Sequence, residues 1–436
     1  MKIFANNLID YIDKDVVFSG FIDNIRDLQY VQFIIVRDSS GKVQVTIEKN
    51  DSNKVLNDLV STLSLESTIK VSGKLFKNDN VKLNGMEIIP KNIEVTSKSL
   101  PELPIDIKNK DAALRETRLD YRFLDLRRED NNLLFKVQTL MEYSMREYWV
   151  NNNFMEIHTP KISGASAESG AETFKLDYFG TPACLSQSPQ FYKQMALASG
   201  FDKVFEIGPA FRAENSHTSY HAAEINMIDV ELAWIDSEDD VMDHEEALLK
   251  YTFSKINDKY REDIKKVFNI EIDNYDVKFP RITFSDAKKI IREKYGYEAE
   301  NKLDFERKEE ELICKYAKDE YKSDFVFITK YPYSARPFYH MLDENGLTKS
   351  FDLLYRGLEI TTGSQREHRI DILETQAKEK GINTKSLQFY LDFFKYGCPP
   401  HGGFAIGSAR LLMQIFGIDN IREATLIYRG PTRLNP

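Results

Sequence analysis

Arg212, Glu214, His217 and His221 stand between two apolar runs in VFEIGPAFRAENSHTSYHAAEINMIDVELAW (204–234). β-Branched and aromatic residues alternate on both sides, which predicts two strands closed by a polar loop. An arginine leaving a strand can grip a phosphate with a planar fork of donors. The same pattern also fits an ordinary hairpin with a charged tip. In SQSPQFYKQM (186–195), Gln190 and Lys193 are three apart, so both face one cavity if a helix begins there. A buried lysine needs an anion; a surface lysine does not. In FDLLYRGLEITTGSQREHR (351–369), Asp352 and Glu359 are seven apart. On one strand that odd spacing puts them on opposite faces unless a bulge intervenes, so spacing alone gives no two-carboxylate metal site. In PPHGGFAIGSARLLMQIFGIDNIRE (399–423), Gly402 and Gly403 allow close backbone approach, and Arg410 sits near the start of an amphipathic helix. SAESGAETF (166–174) joins Glu168 and Glu172 to small residues, as a mobile lid or any solvated loop would.

The elements that must position these groups are legible in outline. Residues 16–95 read as five short strands (VVFSGFI, YVQFIIVRD, KVQVTIEK, TIKVSGKLF, VKLNGMEIIP), with Asp38-Ser39-Ser40-Gly41 as a hairpin turn. Five strands of this length predict an OB-fold barrel. Arg26, Phe33 and Gln44 fall on or beside its strands; an exposed aromatic stacks on an unpaired base while Arg and Gln read base edges and phosphate. Phe33 would equally serve as core. Two prolines and several charges at 99–115 suggest a hinge. Residues 133–153 are helical, as are roughly 236–268 and 300–322, with strands mixed between. The expected architecture is α+β: an OB barrel at 1–100, a hinge at 101–130 and a larger domain at 131–436.

A chain of 436 residues is too long for one core. The net charge of −10 has the wrong sign for wrapping nucleic acid by bulk electrostatics. It is uneven, however: residues 1–100 carry 13 basic and 13 acidic side chains. A nucleic-acid partner needs local basic surfaces. No apolar run is long enough for a membrane span, and MKIFANNLIDYIDKD predicts no secretory leader. Cys184, Cys314 and Cys398 are isolated, which predicts buried thiols in a reducing cytoplasm and neither disulfides nor a zinc site. There is no internal repeat.

The 204–234 stretch resembles motif 2 of class II aminoacyl-tRNA synthetases, a Phe-Arg-x-Glu strand followed by a variable loop. The resemblance runs through the chain, to the archaeal and eukaryotic-type aspartyl-tRNA synthetases and their asparaginyl relatives. Arg26-Asp27-Leu28, Phe33 and Val43-Gln44 match the anticodon-binding barrel in order, with Gln29-Tyr30 where the family usually has glycine. TRLDYRFLDLRR (117–128) matches the lead into the catalytic domain. FMEIHTPKI (154–162), with Pro160, matches motif 1 and implies a homodimer. Residues 186–195 match the amino-acid-binding segment; an uncharged residue usually replaces Lys193 in the asparaginyl relatives, so Lys193 implies aspartate. Residues 351–369 match the segment that holds Mg²⁺ and ATP through Glu359, Asp352 and the Thr362 hydroxyl, with Arg366 clamping the substrate's side-chain carboxylate. Arg366 would otherwise serve in a structural ion pair with an internal acid. Glu168 and Glu172 match the closing loop, and Glu172 or Asp229 would hold the α-ammonium. Residues 399–423 match motif 3, whose Arg410 stacks on adenine and reaches the γ-phosphate. Three departures stand out: Ala405 for a glycine, Ala409 for a glutamate, and Tyr220 for an arginine before His221. Ile225 also replaces a frequent phenylalanine.

The resemblance implies activation of L-aspartate by ATP and Mg²⁺ and transfer to tRNA(Asp), with tRNA(Asn) open as a second acceptor. Arg212 would bridge the α-carboxylate and α-phosphate; His217, His221 and Arg410 would balance the outer phosphates. Two other functions fit the departures: a paralogue that adenylates aspartate or asparagine for another purpose, and an RNA-binding protein that has lost catalysis.

Overall fold

Alternating apolar residues in the first hundred positions form five strands: β1 (Asp15–Asp27), β2 (Val31–Arg37), β3 (Lys42–Glu48), β4 (Thr68–Lys77) and β5 (Met86–Ser97). In this computed structural model, which describes residues 3–164, 172–273, 275–385 and 387–436, they close a barrel in the order β1-β2-β3-β5-β4. Helix α1 (Lys54–Val60) lies between β3 and β4 in sequence. Phe18, Ile34, Val36, Val45, Val71 and Ile88 fill the interior. The predicted turn forms as its residues dictate: the Asp38 carboxylate accepts the N–H groups of Ser40 (2.8 Å) and Gly41 (3.1 Å). The fifth strand starts later than 81. Asn84 and Gly85 both have left-handed φ (59° and 62°), and two such residues cannot continue a strand.

The chain divides into Met1–Ala113 and Leu114–Pro436. The expected hinge at 101–130 is thus shared between the two units. Within the second, α2 (Arg115–Asp120) and α3 (Arg122–Asp125) are tied to the C-terminal segment, where Arg118 pairs with Glu423 at 2.6 Å.

The second unit is built on a mixed sheet. Helix α4 (Glu129–Asn151) leads to β6 (Met155–Glu156); a small sheet of β7 (Ile162–Ser163), β8 (Lys175–Tyr178) and β9 (Thr181–Leu185) follows, then α5 (Gln190–Ala198). Strands β10 (Lys203–Phe211) and β11 (Glu224–Ala233) are the predicted hairpin, antiparallel from Lys203 opposite Leu232 to Phe211 opposite Glu224. Next come α6 (Glu238–Phe268), β12 (Arg281–Thr283), α7 (Phe284–Tyr295), α8 (Arg307–Tyr321), β13 (Phe325–Thr329), β14 (Ser350–Tyr355) and β15 (Leu358–Gln365). The chain continues through α9 (Ile370–Glu379), α10 (Gln388–Lys395), β16 (His401–Gly407) and α11 (Ser408–Phe416). Eight strands pair in the order β12-β13-β14-β15-β16-β11-β10-β6, antiparallel in the centre and parallel at both edges.

The period-2 pattern sets the two faces of this sheet. Ile228 and Val230 of β11 and Phe404 and Ile406 of β16 pack with α4 and α6 through Val137, Met141, Trp149, Leu249 and Phe253. The intervening residues, Asp229, Glu231, Gly403 and Ala405, therefore face the opposite side. A second apolar cluster of Phe191, Phe338, Tyr339, Leu373 and Tyr390 lies there, joining α5, α9 and α10. Helix α6 matches its predicted span because Ser237 and Asp240 form a capping box and Asn269 ends it in the left-handed region. The helix expected over 300–322 begins only at Arg307, after a Glu306–Glu309 capping box.

Candidate active site

The end to which the resemblance assigns the amino acid is built by α5, β11, β15 and β16. Helix α5 begins at Gln190, which places Gln190 and Lys193 on one buried side. The Lys193 ammonium lies 3.2 Å from Asp229 and 3.1 Å from Glu231, and donates to the Val230 carbonyl at 3.3 Å. Arg366 is also buried. Its Nε donates to Glu231 at 2.9 Å, its Nη1 to Ser364 at 2.7 Å, and its Nη2 to the Gly403 carbonyl at 2.9 Å. The anion that Lys193 and Arg366 require is thus present in the chain, as Glu231, which the sequence reading did not select. Its signal was the two-residue spacing from Asp229 on one strand face. Gly403 permits the arrangement: a β-carbon there would collide with the Val230 carbonyl and the Glu231 carboxylate.

Electrostatics separate the two acids. Burial pushes the Glu231 carboxyl up, but Arg366 and Lys193 outweigh it and hold it below its usual range. Burial raises Asp229, with Lys193 only partly opposing, and its Oδ2 has no hydrogen-bond partner. A buried, unsatisfied carboxyl oxygen suits an incoming ammonium. Beside it, the His401 ring meets the Pro399 carbonyl through Nδ1 at 2.8 Å, so Nδ1 carries the proton and Nε2 accepts from Gln194 at 2.8 Å. Gln194 in turn accepts from Gln190 (2.9 Å) and Tyr390 (3.1 Å), which fixes Gln190 in place.

The phosphate end gathers the hairpin loop, β15 and α11. Arg212 follows β10 directly, is half-buried, and among the described residues no hydrogen bond or ion pair engages its guanidinium. Burial and the charge of Arg410 lower His221, whose Nδ1 contacts the Thr218 hydroxyl; Glu214 and Arg212 are also close enough to act on it. His217 is exposed, and no hydrogen bond or ion pair ties it to this group. Arg410 reaches the Glu359 carbonyl at 3.2 Å and its carboxylate at 3.6 Å.

The segment 351–369 is a hairpin, not one strand. Asp352 lies on β14 opposite Thr362 on β15, and a bulge between Leu353 and Leu354 brings Glu359 to the same side. The Thr362 hydroxyl meets Glu359 at 3.2 Å. Both oxygens of Asp352, however, are held by Arg336, one of them at 3.0 Å. Asp352 therefore does not fit a metal-ligand role, which corrects that expectation. Glu359 and Thr362 fit better: the Glu359 side chain keeps 34% exposure. Burial and Asp352 raise its carboxyl while Arg410 opposes, so a further cation would stabilise its charged form. Among the described residues no cluster of three or more His, Cys, Asp or Glu is poised to hold a metal. Glu172 is exposed; its carbonyl accepts from Ala213 and Gln187. Glu168 lies outside the described residues.

Comparison with known proteins decides the family. A model described as class II tRNA synthetases (D, K and N) matches residues 114–428, and one for an OB-fold nucleic acid binding domain matches 16–96. The chain belongs to the class II tRNA synthetases. It is 42% identical over 425 residues to an aspartate–tRNA(Asp) ligase of Pyrococcus abyssi, covering 97% of this chain and 96% of that one. It is 41% identical over 420 residues to an aspartate–tRNA(Asp/Asn) ligase of Aeropyrum pernix, covering 96% and 94%. The asparaginyl-tRNA synthetase of Pyrococcus horikoshii complexed with asparaginyl-adenylate superposes with a TM-score of 0.92 at 30% identity, over 100% of both chains. The aspartyl-tRNA synthetase of Entamoeba histolytica does so with a TM-score of 0.88 at 30% identity, over 100% and 93%. As a class II tRNA synthetase the chain is an aminoacyl-tRNA ligase that uses ATP.

In this synthetase the departures have defined places. Ala405 is in register with both Asp229 and Thr362, so its methyl stands on the site face between the two ends. Ala409, with Gln138, Glu224, Asn226, Ser408 and Arg429, lines a cavity of about 410 Å³ that none of the proposed ATP or aspartate residues enters. On the barrel, Arg26 lies over the half-buried Phe33 ring at 5.1 Å, and Ile34 next to it faces the core; Phe33 is therefore not core. Gln44 shares that outer face but is buried, donating to Thr46 (3.1 Å) and Glu87 (3.4 Å). Gln29 and Tyr30 are exposed between β1 and β2. Among the described residues no helix is long and apolar enough to cross a membrane.

Proposed function

We propose that this chain activates L-aspartate with ATP and transfers it to the 3′ end of tRNA(Asp), with tRNA(Asn) a second acceptor to be tested. The observation that carries the choice of aspartate is the 42% identity, over 97% of this chain, to an aspartate–tRNA(Asp) ligase. Lys193 and Arg366 stand together at the end assigned to the amino acid, each paired with Glu231, so a charged substrate side chain would share these cations with that acid. Asp229, with its unsatisfied oxygen, receives the α-ammonium, and Gln190 and Glu172 are assigned to the same substrate.

The aspartate α-carboxylate attacks the α-phosphorus of ATP and pyrophosphate leaves. No proton need move, so orientation and charge neutralisation carry the catalysis. Arg212, free of internal partners, bridges the attacking carboxylate and the α-phosphate. Arg410 and His221, with His217 from the loop, face the outer phosphates. Glu359 and Thr362 would hold Mg²⁺, which would supply further neutralisation of phosphate charge. The tRNA terminal ribose hydroxyl then attacks the adenylate. Arg26 and Phe33 offer a stacked cation and ring to an unpaired anticodon base, with Gln44 beside them. The segment 154–162 pairs two copies in a homodimer.

The test is pyrophosphate exchange into ATP with aspartate or asparagine, with and without tRNA. Exchange with aspartate supports the reading. Exchange with asparagine alone overturns the roles given to Lys193 and Arg366. Exchange with aspartate but no charging of either tRNA favours the paralogue that adenylates for another acceptor, a reading that the Ala405 methyl on the site floor supports. No exchange with retained tRNA binding leaves the RNA-binding protein.

A further inference from the structure

The hairpin loop has no cation at position 220, yet a guanidinium stands over that position. Arg307, the first residue of α8, holds its Cζ 4.9 Å from the centre of the Tyr220 ring. Its Nη1 donates to Glu310 at 3.1 Å. The same Glu310 oxygen accepts the backbone N–H of Glu359 at 3.3 Å, and Glu359 is the residue that Arg410 contacts. One carboxylate thus separates Arg307 from the groups assigned to Mg²⁺ and the outer phosphates. The Arg307 Nε is buried and has no hydrogen-bond partner; Glu311 approaches only to 3.7 Å. A guanidinium with an unmet donor at a cleft built for a polyanion is poorly explained as a helix-end ion pair.

We propose that Arg307 is an ATP-binding residue, one that places on α8, stacked against Tyr220, the positive charge that the loop itself lacks. The proposal rests on the ATP-dependent reading of this site. Arginine suits the role because it can stack on a ring and present a planar fork to phosphate at once; lysine can do neither as well.

The experiment is calorimetric titration of the full-length protein with MgATP, combined with KM values for ATP and aspartate in pyrophosphate exchange. R307Q is expected to weaken MgATP binding by about tenfold, the scale of one charge-assisted hydrogen bond, and to leave the KM for aspartate within about twofold. R307K should recover part of the loss. Y220R added to R307Q, which returns a guanidinium to the same place, should recover most of it. K308Q, next along α8, should change nothing. R307Q that binds MgATP like the wild type, or that raises both KM values equally while lowering Tm, overturns the proposal in favour of a structural role. A wild type that binds MgATP without exchange refutes the aspartate-activation reading and still lets the binding comparison decide Arg307. A wild type that binds no MgATP overturns both.

Discussion

The two ends of the active site carry similar charges arranged in opposite ways. At the amino-acid end, Lys193 and Arg366 are buried and already paired with Asp229 and Glu231. At the phosphate end, Arg212 has no internal partner and Arg410 shares Glu359 at a loose 3.6 Å. A pocket for one small zwitterion with a charged side chain gains by holding its own charges fixed and balanced, since an unpaired buried ion would cost the fold several kcal/mol. A cleft for a triphosphate gains by leaving cations exposed and unspent until the ligand arrives. On the proposed function, selectivity would reside in the paired network and rate in the open, positive one.

Removing a cation from the open end should cost rate without harming the fold. Arg212→Ala is expected to lower the pyrophosphate exchange rate on the order of 10²–10³-fold, the scale seen for losing one preorganised donor to a developing charge. Tm should stay at the wild-type value, because among the described residues no hydrogen bond or ion pair holds the Arg212 side chain. An Arg212→Ala protein with wild-type exchange would falsify its bridging role.

The reverse pattern is expected at the balanced end. Glu231→Gln leaves Lys193 with Asp229 alone and takes from Arg366 its carboxylate partner in a buried site, a loss of roughly 3 kcal/mol in denaturant unfolding. ATP affinity should hardly move. If Glu231→Gln left stability unchanged and weakened ATP instead, the division between the two ends would be wrong.

This contrast also explains how much of the site was legible in the sequence. The hairpin, the start of α5 and the placing of Arg410 on α11 all follow from local rules: alternation, a three-residue helical spacing, and glycines ahead of an amphipathic run. Phosphate-end residues are mostly local in this sense. The compensating groups are not. Glu231 answers Arg366 across 135 residues of chain, and Arg336 reaches Asp352 from the connection between β13 and β14. Spacing along one segment carries no information about such partners. Asp352 and Glu359 illustrate the limit: their seven-residue separation was read along one strand, whereas a turn and a bulge fold them onto one side. The late start of β5 has a similar origin, in two left-handed residues that apolar alternation does not report.

The two candidate metal ligands sharpen the same comparison. Glu359→Gln is expected to raise the Mg²⁺ concentration for half-maximal exchange by about tenfold. Asp352→Asn should leave that concentration unchanged and lower Tm, since its work is to pair with buried Arg336. Equal Mg²⁺ shifts in both variants would restore Asp352 as a ligand.

The smallest expected effect concerns a carboxyl beneath the sheet that neither end uses. Glu245 on α6 is fully buried and neither of its oxygens has a hydrogen-bond partner; Thr361 stands near but outside bonding geometry. Burial, with Asp352 adding, raises its carboxyl from the ordinary 4.5 to about 8. Between those values the folded chain keeps a proton that the unfolded chain has released, so stability falls as pH rises from about 4.5 towards 8 and stays lower above it. Glu245→Gln removes that titration. Its Tm should match the wild type near pH 5 and exceed it by a few degrees at pH 9, on the scale of about 1–2 kcal/mol. A constant difference across that range would mean that Glu245 carries its charge in both states throughout it. In that case the only carboxyl chemistry of consequence in this sheet would be on its ligand-facing side.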